Sequence, residues 1–545
     1  MTSEKQSLLK GAAILGVAAF ITKLLGAVYK IPYQNITGNE GLFVYQQVYP
    51  LYSTLLTIAT AGVPIAISKL VSERLAEGDE PGARQVFRLS SGILSVSGFL
   101  FFIVLYLGAP WIADWMGSAK LLTLPIRSVS FALLLVPFMS VIRGFFQGYQ
   151  NMTPTAVSQV VEQGVRVATI LFLAWWFMER GSGVVWAGAG AVFGAFTGAA
   201  AGLAVLLFYW NQNRRQGRLQ AAQAKNSGGP ANPEPGWKLI RTLLHLSIPI
   251  CLGALVLPLF ALADSFTVAN LLAVSGWKAE AAVEAKGVYD RGQPLIQFAS
   301  FFATALSLSI VPAVASSRAR RDEGEVMERS ALALRLTLLF GIPASLGLAV
   351  VAEPTNIMLF QDNAGTRALM ILSFTTLFST LAITSSGILQ GLGDVMIPAR
   401  NLLIGVGVKL ALNWLLIPGM DIRGAALATV AGYAVAAILN LVALKGRVHT
   451  LFRFRRKLPP LIAATFAMGV AAWGTAAGMG AAISGLFSLR GEMTGAALGG
   501  VTVGALVYAL ALFRFGGLTR EELERIPKAG HKLVRLLTRF RLLKS

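Results

Sequence analysis

Six ionisable residues stand in or at the edge of long apolar stretches where charge is out of place: Lys23, Lys30, Arg166, Asp264, Arg291 and Lys409. A charged side chain at bilayer depth costs roughly 3 kcal/mol or more, so such residues face a cavity or a partner. Five of the six are basic. Arginine offers a planar fork that matches phosphate oxygens, and lysine offers a compact point charge. Gathered around one cavity, they would suit a phosphate or pyrophosphate and would suit a cationic drug badly. Lys23 and Lys30 are seven residues apart and share a helix face. Lys409 has no acidic residue near it in sequence, which points to a cavity position. Arg166 has two readings, a cavity cation or the structural partner of Glu162 four residues earlier. Arg127 and Arg335 lie near helix ends and snorkel. Asp290 and Arg291 are adjacent and cannot face each other on a helix.

Covalent chemistry finds little to use. Paired carboxylates, a histidine motif and a nucleophile elbow are all missing from the sequence. His245, His449 and His531 lack ligand spacing, and Cys251 is the single cysteine, so no disulfide framework or thiolate metal site forms within one chain. The expectation is a chain that is not an enzyme, with no cofactor and no bound metal.

The elements that must position these charges are membrane helices. Only 13% of the 545 residues are charged and 55% are hydrophobic. A spanning helix needs about 20 mostly apolar residues. Spans are expected near 8–31, 42–70, 86–109, 121–146, 154–178, 183–210, 239–274, 287–315, 330–352, 367–390, 397–418, 423–444, 459–485 and 493–513. The fold class is therefore an all-α polytopic membrane protein of about fourteen transmembrane helices. The first apolar run is too long for a signal-peptide core of about 7–15 residues and reads as an uncleaved helix. The net charge of +21 does not imply nucleic acid, because the basic residues sit in short segments between apolar runs. The even-numbered loops and the N-terminus carry roughly three times the Lys and Arg of the odd loops, which places both termini in the cytoplasm.

A polar, Gly- and Pro-containing stretch at 211–238 divides the chain, and the two sides echo each other. Gly144, Gln147 and Gly148, followed by Pro154, recur as Gly387, Gln390 and Gly391, followed by Pro398. Tyr45 and Pro50 recur as Tyr289 and Pro294, and Arg166 aligns with Lys409. The offsets are 243 or 244 residues. Both Gln-Gly motifs fall in even-numbered loops, so the halves are parallel repeats of six helices, with a substrate site expected between them. The organisation expected is a lobe at 1–210, a cytoplasmic linker at 211–238, a second lobe at 239–450, an extra helix pair at 451–515 and a tail at 516–545. After Pro527 that tail alternates apolar and basic residues as a surface-lying amphipathic helix does. Gly190, Gly194, Gly198 and Gly202 recur every fourth residue, the pattern of close helix packing through small side chains.

Three motifs carry a resemblance to a known group: Thr22-Lys23-Leu24-Leu25-Gly26, Gly62-Val63-Pro64 running on to Lys69, and Tyr289-Asp290-Arg291 with Pro294 and Pro312. The chain resembles the polysaccharide-exporter branch of the multidrug/oligosaccharidyl-lipid/polysaccharide flippase superfamily, and within it the lipid II flippase and stage V sporulation protein B groups. The resemblance implies two lobes around a cationic cavity, a lipid-tail groove formed by the last helix pair, and alternating access. It implies a pyrophosphate-linked saccharide as partner, membrane lipids around a monomer, and location in the cell membrane. It carries over Lys23 and Arg291 as basic motif positions, with Lys30, Arg166 and Lys409 added as candidates from the residue reading. Coupling to sodium or to membrane potential is implied for some members. Asp264 is the coupling-ion candidate, but helix eleven offers only Asn401 and Asn413 where an acidic partner is expected. The substrate expected is an undecaprenyl-pyrophosphate saccharide, foremost the peptidoglycan precursor lipid II. The alternatives are another lipid-linked polysaccharide repeat unit, of teichuronic, capsular or spore-envelope type, and more remotely a multidrug exporter.

Overall fold

The computed structural model describes residues 3–60, 62–223, 235–447 and 458–516. The side chains of some helix residues, Lys23 among them, lie outside that description. The expected tail helix after Pro527 lies outside it as well.

Among the described residues the secondary structure is helical: α1 (Ser3–Val28), α2 (Lys30–Thr60), α3 (Val63–Ala76), α4 (Glu80–Trp115), α5 (Ala119–Ser130), α6 (Ala132–Gly148), α7 (Thr153–Glu179), α8 (Val184–Gln223), α9 (Gly236–Val274), α10 (Ala279–Asp290), α11 (Gly292–Ala319), α12 (Glu323–Val350), α13 (Ala352–Phe360), α14 (Thr366–Ser373), α15 (Thr375–Gly391), α16 (Met396–Lys445), α17 (Leu458–Ala482) and α18 (Leu489–Arg514). Eleven stretches among the described residues are long and apolar enough to cross a bilayer. Two of these stretches each take in a pair of expected spans. One runs 63 residues from Ile14 to Ala76 and the other 50 residues from Met396 to Lys445. Each is broken inside by a residue off helical geometry, Gly38 (φ 70°) in the first and Asp421 (φ 53°) in the second. The segment expected at 239–274 lies within the single helix α9, and Pro258–Val274 is its apolar stretch among the described residues. The backbone of α8 also continues to Gln223, through the first part of the expected linker. That run, from Asn211, is rich in Gln, Arg and Ala and contains no proline, a composition that sustains a helix.

Helix α4 shows how the sidedness works. Its buried positions include Gly98, Leu105, Ala109 and Ala113, while Phe99, Leu100, Val104, Leu107 and Trp111 are exposed. Large apolar side chains outside and small ones inside is the arrangement that lipid favours, since packing rather than water drives helices together.

The chain divides into two compact units, Met1–Asp290 and Arg291–Ser545. The internal repeat is visible within them at the level of single helix ends. Helix α4 starts at Glu80 and α12 at Glu323, 243 residues later. Each is capped by an aspartate, Asp79 accepting from the Gly82 N–H and Asp322 from the Glu325 N–H. These side chains satisfy helix-terminal donors that would otherwise have no partner. Helices α6 and α15 share both ends at the same offset, and α7 and α16 share their starts.

The glycines of the repeated motif are notches. In the first unit a Cβ on Gly144 would lie 2.8 Å from the Pro64 carbonyl oxygen, and one on Gly148 would lie 2.6 Å from Val71. In the second, a Cβ on Gly387 would lie 2.2 Å from Ser307 Oγ, and one on Gly391 would lie 2.9 Å from the Val311 oxygen. Ser307 follows Pro64 by 243 residues, so notch and ridge repeat together. The four glycines of α8 are close-packing positions too. Cβ atoms on Gly194 and Gly198 would approach the Arg166 and Glu162 carbonyl oxygens of α7 to 2.9 and 2.6 Å.

Candidate functional site

Three charged clusters and one buried lysine account for the described candidate residues. The first cluster joins α6 to α7. Glu162 accepts from Arg143 Nη2 at 2.9 Å and from Arg166 Nη2 at 2.7 Å. Arg143 Nε also donates to Ser158 Oγ at 3.0 Å. All three charged side chains are about one-eighth exposed. The local pair expected for Arg166 is therefore present, with a third member. Arg143 lies in α6, within the span expected at 121–146, and faces α7. Beside the cluster runs a file of tyrosines: Tyr29, Tyr33 and Tyr49 each pack their rings 5.5–5.7 Å from Tyr45, and Tyr52 packs on Tyr49. The buried Tyr52 hydroxyl lies beside the Arg166 guanidinium and interacts with it.

The second cluster joins α2, α9 and α10, and it brings Lys30 and Asp264 together. Lys286 Nζ lies 2.6 Å from both carboxylate oxygens of Asp290. Tyr289 donates its hydroxyl to Asp264 Oδ2 at 2.9 Å. The Asp290 carboxylate also interacts electrostatically with Asp264 and with Lys30. Lys30, Asp264, Lys286 and Asp290 are all buried. Two lysines face two aspartates, so the cluster balances its charge in a medium that would punish any excess. Lys286 is a correction to the sequence reading, which put it in a loop. It is one turn before Asp290 on α10, on the same face.

The third cluster is in the second unit. Arg291 is buried at the start of α11 and makes a bidentate pair with Asp362 of the α13–α14 loop, Nη1 to Oδ1 at 2.6 Å and Nη2 to Oδ2 at 2.8 Å. Its guanidinium also lies 5.3 Å from the Phe360 ring centroid, within cation–π range. Asp362 further accepts from the Ala364 N–H at 2.7 Å. Partial burial alone would raise the Asp362 carboxyl, but Arg291 and the Ala364 N–H outweigh it and hold it below its ordinary value. Asp290 and Arg291, adjacent in sequence, thus find separate partners.

Lys409 is buried in α16, at the repeat position of Arg166. Around it the repeat has changed chemistry. The counterparts of Arg143, Ser158 and Glu162 at the same offset are Ser386, Asn401 and Gly405. There the charged triad gives way to amides: Asn401 donates to Asn440 at 2.9 Å, and Asn440 donates to Ser386 at 3.0 Å. Asn401 is thereby committed to a bond between the two arms of α16, on either side of the break at Asp421. Lys23 falls within α1, and its side chain lies outside the described ones. Among the described residues that are nearly fully buried, four are basic (Lys30, Lys286, Arg291 and Lys409) and three acidic (Asp264, Asp290 and Glu492).

Residues 8–318 match the family model described as polysaccharide biosynthesis protein. The chain belongs to that family. It sits within the flippase superfamily that joins multidrug, oligosaccharidyl-lipid and polysaccharide transporters, and residues 249–415 also match the MatE model. The chain is 37% identical over 539 residues to the uncharacterized membrane protein YabM of Bacillus subtilis, covering 97% of this chain and 96% of that one. It is 33% identical to the lipid II flippase MurJ of the same organism, over 80% and 82% of the two chains. With the stage V sporulation protein B of that organism it shares 27%, over 97% and 100%. Among solved structures, an inward-facing MATE-family multidrug transporter of the superfamily superposes with a TM-score of 0.63 at 15% identity, over 79% of this chain and 95% of that one. That likeness shows the fold alone. The family member described here is a multi-pass membrane protein of the lipid-linked saccharide flippase family.

Proposed function

We propose that this protein carries lipid II, the undecaprenyl-pyrophosphate-linked precursor of peptidoglycan, from the inner to the outer leaflet of the cell membrane by alternating access. The observation that carries the reading is the 33% identity with the lipid II flippase MurJ of Bacillus subtilis over 452 residues. The buried basic residues support it. Lys30, Arg166, Arg291 and Lys409, with Lys23 from sequence, supply the charge that a pyrophosphate needs to enter a low-dielectric interior. Their work is electrostatic, and no bond is made or broken. The protein acts as a monomer with both termini in the cytoplasm. A cysteine probe at Lys278 is then labelled from outside, and one at Lys225 is not.

The driving force follows from charge. A pyrophosphate diester carries about two negative charges, and each charge crossing 100 mV is worth about 2.3 kcal/mol. An inside-negative potential therefore favours outward passage of the head group. Asp264 is the residue proposed to meet a coupling cation such as sodium.

The test is genetic. In a host depleted of its own lipid II flippases, this gene as the sole copy sustains growth and lipid II appears in the outer leaflet. A well-inserted, abundant protein that leaves lipid II inside while exporting another lipid-linked repeat unit overturns the assignment.

A further inference from the structure

The repeat aligns Arg291 with Gln47, 244 residues earlier, in the offset shared by Tyr45 with Tyr289 and Pro50 with Pro294. The two residues do the same mechanical job within their own units. Gln47 is buried and donates through Nε2 to the Met116 carbonyl at 3.0 Å, in the short loop between α4 and α5, and to the Ser265 carbonyl at 2.9 Å. Arg291 donates to the corresponding loop of the second unit, between α13 and α14, through Asp362. Each ties its helix to the hairpin beside it. The first unit achieves this with a neutral amide and backbone carbonyls, so the joint does not require charge.

The second unit instead buries a guanidinium and answers it with a carboxylate whose side chain is 48% exposed, while that of Arg291 is 2% exposed. A planar carboxylate gripping both Nη atoms is the geometry that a phosphate adopts on arginine. Asp362 sits on a loop, its other recorded acceptor bond is local, and half of its side chain is open to solvent. It is thus the side of the pair that can leave.

We propose that Asp362 is a built-in anion that occupies the Arg291 fork until the pyrophosphate of the lipid substrate displaces it. This inference rests on the proposed role of Arg291 in holding that group. In the exchange no covalent bond changes: the two N–H···O contacts pass from carboxylate to phosphate, and Asp362 turns into solvent. The guanidinium is therefore charge-paired throughout the cycle, and the affinity for pyrophosphate is set by competition with the chain's own carboxylate. Asp362 acts through Arg291 and is a positioning residue.

The experiment uses the full-length protein in lipid nanodiscs, with two probes measured by calorimetry, farnesyl pyrophosphate and inorganic pyrophosphate. Asp362→Asn replaces the carboxylate with a neutral amide of the same shape and so weakens the competitor, and it is expected to bind farnesyl pyrophosphate at least tenfold more tightly than the wild type. The gain vanishes in Asp362→Asn/Arg291→Gln, where the joint is the neutral kind already seen at Gln47. A comparable gain for inorganic pyrophosphate shows that the fork reads the phosphate alone, and a gain confined to the prenyl probe shows that it reads the lipid-borne group. Either outcome supports the exchange. If Asp362→Asn remains folded and binds both probes no more tightly than the wild type, Asp362 is only a tie and the exchange is refuted. If Arg291→Gln alone leaves binding of both probes unchanged, the phosphate role of Arg291 fails, which is a separate result.

Discussion

Replacing Glu162 with Gln removes the one carboxylate that serves two buried guanidiniums. The structure ranks the consequences. Arg166→Gln breaks one charge-assisted contact, worth about 1.5–3 kcal/mol, and leaves Glu162 still held by Arg143 at 2.9 Å. Glu162→Gln leaves both Arg143 and Arg166 without their counter-charge, and the two cations then repel. Orphaning one partner of a buried pair costs about 3–5 kcal/mol, and the roughly one-eighth exposure of these side chains gives little solvent screening. The double variant Glu162→Gln/Arg166→Gln removes one of the orphaned cations and recovers part of the loss. A polytopic protein does not unfold in two states, so the rank order is the observable rather than an absolute free energy. The assay is the fraction remaining monodisperse after stepwise heating in detergent. The expected order of midpoints is wild type, then Arg166→Gln, then the double variant, then Glu162→Gln. If Arg166→Gln falls as far as Glu162→Gln, or the double variant falls below both, the shared-carboxylate reasoning is wrong.

Gly144→Val and Gly391→Val, whose new Cβ atoms would meet backbone oxygens at 2.8 and 2.9 Å, are expected to lower folded yield in their respective units by overpacking costs of about 1–3 kcal/mol. Gly164→Ala, in the interior of α7 with nothing within 4 Å of the added carbon, is expected to leave yield unchanged or raise it, and a loss as large as that of Gly144→Val would contradict the notch model. Asp362 has a folded-state pKa below its ordinary value, so its contribution is present above about pH 4 and is lost as pH falls further, through its folded-state value. The heat-stability gap between wild type and Asp362→Asn therefore narrows on acidification below that point, and a gap that widens would reverse the sign of the linkage.

What could be read from sequence follows the range of each interaction. The repeat was legible because a glycine notch tolerates no side chain, so Gly144 and Gly148 recur as Gly387 and Gly391. The Glu162–Arg166 pair was legible because four residues on a helix is contact distance. Arg143 left no local sign, since its partner Glu162 lies 19 residues on in the next helix, and Lys286 was hidden by a span boundary drawn at 287, beside Asp290. Asp362 left no local sign, since it lies 71 residues from Arg291 on a polar loop. Hydropathy also located the helix breaks at Gly38 and Asp421, which fall in the gaps 32–41 and 419–422 between expected spans.

The glycine notches also bear on the order in which the chain assembles as it is made. Gly144 receives Pro64, and Gly387 receives Ser307, each a residue synthesised 80 positions earlier. A ridge is thus already in the membrane when its notch arrives, and neither joint waits for the other unit. At about 5–20 residues per second, the 255 residues from Arg291 to Ser545 take roughly 13–50 s to make. During that interval the α3–α6 joint has everything it needs to close, and the α11–α15 joint forms later by the same step.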